Sequence, residues 1–213
     1  MRTFSFTIDS EHNKQNNEFS RDAFRLQVSS GVFGLVLLLV AFFVFRLSDG
    51  ATWGLAVSIG LLAFALFCFF LVLVLPKQMG TAQDMFDKYE LVPAVIAEVN
   101  ARDMVLLALV DANAGEATQP VPALATRTIS NLRGHDRVVG ERVPAVAVTG
   151  RRSVSSTDRW DEISPMPIAW GTPDNTVIKK AKKTIPENEW NRLMKYLDRL
   201  EEVKATPLNL LVL

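Results

Sequence analysis

Two long uncharged apolar runs, separated by five residues, restrict this chain more than any other feature. Val28 to Phe45 (VSSGVFGLVLLLVAFFVF) and Ala51 to Leu75 contain no Asp, Glu, Lys or Arg, although such residues make up 22% of the chain. A bilayer core of about 30 Å needs about 20 helical residues. Both runs are therefore long enough to span, the second with some tilt. Neither carries a polar stripe, as lipid on all sides demands. The first run follows a long N-terminal segment, and no small-residue cleavage site precedes the second, so a cleaved signal peptide is not expected. A soluble domain of this size could not cover two such helices.

Arg46, Leu47, Ser48, Asp49 and Gly50 can reverse the chain but cannot form a translocated domain, so the expected element is a two-helix transmembrane hairpin. Arg2, Lys14, Arg21 and Arg25 precede the first span, and Lys77, Lys88 and Arg102 follow the second, whereas the loop holds only Arg46. This bias puts both termini in the cytoplasm and the protein in the plasma membrane as a multi-pass protein. Trp53 sits where an aromatic ring favours the interface. Small residues recur at helical spacing, Ser30 with Gly34, Gly54 with Ser58 and Ala56 with Gly60, and are expected to join the two helices, or one of them to another protein. No ionisable side chain lies within either span, which disfavours a transporter. The single cysteine, Cys68, allows no intramolecular disulfide and reads as a small packing residue.

The remaining chain has soluble composition. Lys and Arg number 23, as do Asp and Glu, and this balance argues against a nucleic-acid partner. Thr3 to Ile8 alternates polar and apolar residues and predicts a short strand; Asn16 to Gln27 predicts an amphipathic helix running into the first span. Past Pro76 a short helix, Ala82 to Tyr89, is followed by predicted strands at Val92 to Val99, Met104 to Asp111, Leu124 to Leu132 and Arg142 to Val148, with turns at Gly115 to Pro122 and Gly134 to Gly140. Trp160 to Thr172 (WDEISPMPIAWGT) reads as an extended segment packed along a small barrel, its prolines excluding a helix. Helices are expected from Asn175 to Lys183 and, after a cap at Thr184, Pro186 and Glu187, through Trp190, Leu193, Met194, Leu197 and Leu200. The apolar Leu208 to Leu213 should pair with a strand or dock in a groove. The expected class is an α+β membrane protein: a hairpin plus a small β-barrel or antiparallel-sheet domain with C-terminal helices. The expected divisions are 1–27, 28–75 and 76–213.

Candidate chemistry is sparse. His12 and His135 lack companions at ligand spacing and read as solvated loop residues, so no metal or other cofactor is expected. Asp158, Asp161 and Glu162 read as a charged loop, with Asp161 and His135 the one pair suited to acid and base work. Arg151 and Arg152, beside Gly150 and Ser153, could contact an anion, and with Trp160 and Trp170 they form the candidate binding surface. Lys179 to Lys183 reads as a solvated helix face or a contact for anionic headgroups.

The stretches MRTFSFTID (Met1 to Asp9), RVPAVAVTGRR (Arg142 to Arg152) and ISPMPIAWGTP (Ile163 to Pro173) resemble a family of corynebacterial two-span membrane proteins that carries a domain of unknown function. Small proteins of this build are similar to accessory subunits of the actinobacterial cytochrome bcc and oxidase respiratory supercomplex, part of the electron transport chain. The resemblance implies a non-catalytic accessory subunit whose partners are membrane lipid and a larger membrane complex. The alternative is a membrane-anchored binding module acting in envelope biogenesis.

Overall fold

The computed structural model describes residues 2–79, 81–115, 119–153 and 158–213, with backbone alone for 75–79. Part of the predicted turn at Gly115 to Pro122, residues 116–118, lies outside the described residues, as do the side chains of Leu75, Pro76 and Lys77. Two compact units emerge, Glu18–Thr81 and a discontinuous unit made of Met1–Asn17 with Ala82–Leu213. The first seventeen residues thus belong with the C-terminal unit, whereas the sequence suggested that residues 1–27 stand together.

The Glu18–Thr81 unit is a helical hairpin of α2 (Glu18–Leu47) and α3 (Thr52–Met79). The expected amphipathic helix is not separate, since α2 starts at Glu18 and continues without a break through the first apolar run. Both helices are long and apolar enough to cross a membrane, and only 17% and 11% of their most apolar windows are buried. A core helix of a soluble domain would be mostly covered. Here Leu39, Phe43, Leu66 and Leu73 lie open, an apolar surface that water would not tolerate. The chain reverses through Asp49 and Gly50, both at positive φ, the left-handed region that glycine adopts without a Cβ penalty.

Small residues set how closely the helices approach. Ala65 is fully buried and packs with Leu37 and Cys68. A Cβ on Gly34 would lie 3.1 Å from the Phe69 ring, and one on Gly54 would overlap Ser48. Two polar contacts also join the helices. Ser58 Oγ donates to the Ala41 carbonyl at 3.1 Å, and Gln27 Nε2 to the Val72 carbonyl at 3.1 Å. Val72 would ordinarily receive the amide of residue 76, but Pro76 has none, so Gln27 satisfies an acceptor that α3 cannot.

The second unit is built on one antiparallel sheet: β1 (Leu91–Val99), β2 (Met104–Asp111), β3 (Pro122–Ile129), β4 (Arg142–Thr149), β5 (Ile163–Pro167) and β6 (Leu210–Val212), in the order β5-β4-β1-β2-β3-β6. Each of β1, β2 and β4 holds an unbroken run of six or seven buried residues, which accounts for continuous apolar runs in place of alternation. The sheet curls into a half-barrel and does not close; Arg127 Nη1 of β3 reaches Ser164 Oγ of β5 at 3.0 Å. A bulge in β1 between Ile96 and Glu98 adds local bend.

The proline-rich segment contains a true strand. Pro165 and Pro167 of β5 stand opposite Ala147 and Ala145 of β4. An edge strand tolerates proline at alternate positions, because the missing N–H would point away from the ladder. Its continuation, the 3-10 turn Ile168–Trp170, is buried throughout. The C-terminal apolar run pairs as β6 with β3.

Around the sheet pack α5 (Asn175–Thr184), α6 (Glu187–Met194) and α7 (Leu200–Lys204), while α4 (Ala82–Lys88) buries Phe86 beside Phe6 and Gly171. The predicted second C-terminal helix is divided, with a 3-10 turn at Leu197–Arg199 between α6 and α7. Thr184 is not its cap; its hydroxyl donates to the Lys180 carbonyl, and Pro186 occupies the capping position without a side-chain bond. The N-terminal strand does not form either. The Arg2 carbonyl receives the Leu91 amide at 2.7 Å, Phe4 is buried with its ring 6.0 Å from that of Phe6, and Phe6 meets Phe86 edge-on at 5.1 Å. Gln83 bonds both the Ile8 amide and the Phe6 carbonyl, doing for the backbone what a neighbouring strand would have done.

Candidate functional site

The residues singled out by sequence fall into three places. On the hairpin, Gly34, Gly54 and Ser58 face inward. Ser30 is half-buried, while Ala56 and Gly60 are exposed, with nothing within 4 Å of a Cβ built on Gly60. The Ala56 and Gly60 pair therefore does not join the two helices, contrary to expectation: it lies on the open face of α3. Trp53 is exposed near the start of α3.

The expected surface of Arg151, Arg152, Trp160 and Trp170 is divided between surface and core. Trp170 is fully buried; its Nε1 donates to the Asn131 carbonyl at 3.1 Å, and the Arg127 guanidinium lies 5.2 Å from its ring. The apolar Ile163, Met166 and Ile168 around it were a signal in the sequence for burial of this stretch, and residues 165–170 are buried throughout. Trp160 is half-buried under the Arg152 guanidinium, 5.7 Å from the ring centre, and borders a shallow cleft of about 250 Å³ with Tyr89, Glu90, Asp111 and Asn113. Arg151 holds the loop through its backbone, its N–H donating to Glu162 Oε2.

The titratable residues are engaged locally. Asp161 accepts the Ser153 amide at 2.6 Å, and His135 turns instead to Glu141, with Nδ1 3.0 Å from Oε1. Neither histidine is a solvated loop residue. His12 is buried and its Nε2 lies 2.9 Å from the Ala169 carbonyl. Asn16 and Asn17, also buried, bond to the His12 carbonyl and to Asn13 Oδ1. This polar cluster on α1 (Ser10–Asn16) seats the N-terminal helix against the Ile168–Trp170 turn. Sequence reading missed it; the available signal was Asp9, which caps α1 by accepting the Glu11 and His12 amides.

The His135 side chain is 3% exposed, and its Nε2 is buried without a partner among the described residues. In the neutral ring Nδ1–H donates to Glu141; a second proton would place an N–H on Nε2 with nothing to receive it. Burial accordingly holds the imidazole below its usual range, against the opposing pull of Glu141. A lowered histidine contributes stability that is complete above its unfolded value of about 6.5 and is lost as pH falls through the folded value. His135→Asn should flatten the acid limb of a melting-temperature profile across that window. A limb of unchanged steepness would contradict the assignment.

The last group lies on α5, where Ile178 and Ala181 are buried while Lys179, Lys180 and Lys183 point outward. Lys182 leans toward Glu141 at 3.7 Å. Several cations elsewhere are paired: Arg2 with Glu189, Arg142 with Glu187, Arg199 with Glu202, and Lys204 with Glu98 and Glu201.

Residues 77–201 match a family model described as a protein of unknown function, DUF3239. The crystal structure of a candidate membrane protein from Corynebacterium diphtheriae is similar at 54% identity and a TM-score of 0.55, covering 58% of this chain and 100% of its own. No curated protein matches the chain.

Proposed function

The chain belongs to the DUF3239 family of proteins of unknown function, and from that premise we propose that it is a non-catalytic accessory protein anchored in the plasma membrane by its hairpin. Both termini are cytoplasmic in this reading, and the hairpin packs against a larger membrane complex. The observation that carries it is the open face of α3, where Ala56 and Gly60 are exposed and a Cβ built on Gly60 meets nothing within 4 Å among the described residues. Inside lipid, small residues at that spacing favour close approach of another helix. The engagement of His12, His135, Asp161, Glu162 and Trp170 in local structure supports a scaffolding role for the sheet domain. Resemblance to accessory subunits makes the actinobacterial respiratory supercomplex the first partner to test.

Purification from membranes in mild detergent, through a tag on the chain, should recover haem-containing partner subunits. Replacing Ala56 and Gly60 together by leucine should lower that recovery several-fold while leaving the chain in the membrane. Isolation of the chain alone in every detergent would refute the reading. A second reading, a membrane-anchored binding module in envelope biogenesis, rests on the Trp160 cleft. At about 250 Å³ this falls just short of the roughly 300 Å³ at which ligand pockets begin.

A further inference from the structure

From the α5 surface we infer that the sheet domain carries a binding site for the phosphate groups of anionic phospholipids. This rests on the membrane-anchored reading and deepens it. In a chain with 23 basic and 23 acidic side chains, Lys182, Arg199 and Lys204 of the C-terminal helices are paired with carboxylates. Lys179, Lys180 and Lys183 are grouped on the outward side of a single helix: all are exposed, and none has an acidic partner among the described residues. With Asn175, Thr176 and Thr184, all on the same side of α5, they border an open surface hollow of about 660 Å³.

Its chemistry is one-sided. The ammonium groups offer only donors, and the nearest acid, Asp174, is committed as the helix cap, accepting the Thr176 amide at 2.7 Å. That bond holds the Asp174 carboxylate below its usual range. The Thr184 hydroxyl is already given to the Lys180 carbonyl. Three mobile point charges over such a hollow suit a phosphodiester better than a planar carboxylate, which an arginine fork would recognise more closely. The apolar side of α5 is used up against the sheet through Ile178 and Ala181, so the helix cannot sink into acyl chains. A headgroup contact is the form of membrane binding left to it.

The source is a lipid and not a soluble phosphate because the domain is tethered. The chain passes between the two units twice, at Asn17 to Glu18 and at Thr81 to Ala82. Lipid headgroups are therefore at high effective concentration. Each lysine near an anionic surface strengthens attraction about fivefold, so the three together supply about a hundredfold.

The test uses the full chain in nanodiscs of phosphatidylcholine, with or without phosphatidylglycerol, and reads acetylation of individual lysines by mass spectrometry. Lys179, Lys180 and Lys183 should be modified several-fold more slowly when phosphatidylglycerol is present, with Lys195 as internal control, and high salt should remove the protection. Backbone exchange of α5 should slow likewise, and a variant with all three changed to glutamine should lose that response. Equal labelling in both discs overturns the inference. Equal protection by inorganic phosphate in phosphatidylcholine discs overturns the lipid assignment in favour of a soluble anion. Release of the chain from membranes by alkaline carbonate would remove the anchored reading itself, an outcome distinct from unprotected lysines on a chain that stays inserted.

Discussion

Truncating Trp170 to alanine should destabilise the sheet domain by about 3–5 kcal/mol, the range for large aromatic side chains removed from a core. Its ring has no exposed surface, so the cavity left behind would be nearly complete. Two further losses place the effect toward the upper end. The Asn131 carbonyl loses the indole N–H, and Arg127, which spans from β3 to Ser164 of β5, loses the ring beneath its guanidinium. A half-buried guanidinium loses the attraction of the ring face. Thermal unfolding followed through the remaining tryptophans would measure this, and Trp170→Phe should recover much of the loss. A Trp170→Ala protein melting together with its parent would contradict the core placement.

Ala65→Arg should have the second large effect, on the hairpin. Ala65 is fully buried between Leu37 and Cys68, so the new side chain has no room between the helices. A cation at the centre of a spanning helix costs about 2.5–3.5 kcal/mol in insertion. Separation of α2 from α3 adds the lost packing. The expected result is a large fall in the carbonate-resistant fraction, with new protease sensitivity in the hairpin, while Ala65→Ser behaves as the parent. Full resistance of the arginine variant would mean that Ala65 does not sit against a neighbouring helix inside lipid.

What could be read in advance follows from which physical signal dominates each segment. The hairpin was legible because length without charge leaves few alternatives, and β2 because Met104 to Val110 is apolar throughout and bounded by turns. Thr3 to Ile8 misled for a specific reason. Its alternation matched a strand, but alternation reports only that one side is buried, and not whether a sheet edge is free to receive the backbone. The two tryptophans of the candidate surface are a similar case. Trp160 and Trp170 are chemically identical in sequence, yet one borders a cleft and the other fills the core. His12 was misplaced because a run of Glu, His, Asn and Lys has the composition of a loop. Burial came from hydrogen bonds to the Ala169 carbonyl and among neighbouring asparagines, partners 157 residues away or one helical turn along. The Lys179 to Lys183 cluster was visible at once, but that only three of its cations lack partners depends on Glu141, which sequence distance did not connect to Lys182.

The crosslinks from Gln27 to Val72 and from Ser58 to Ala41 sit at opposite ends of the hairpin. Sliding or rotating one helix along the other would break both bonds, and at Ser58, within the second apolar run, no water is at hand to replace the one lost. The pair should therefore diffuse laterally as a stiff rod whose outer contour is settled before any encounter. A neighbour docking onto it would lose little conformational freedom on the hairpin's account, and recognition would depend on shape already in place.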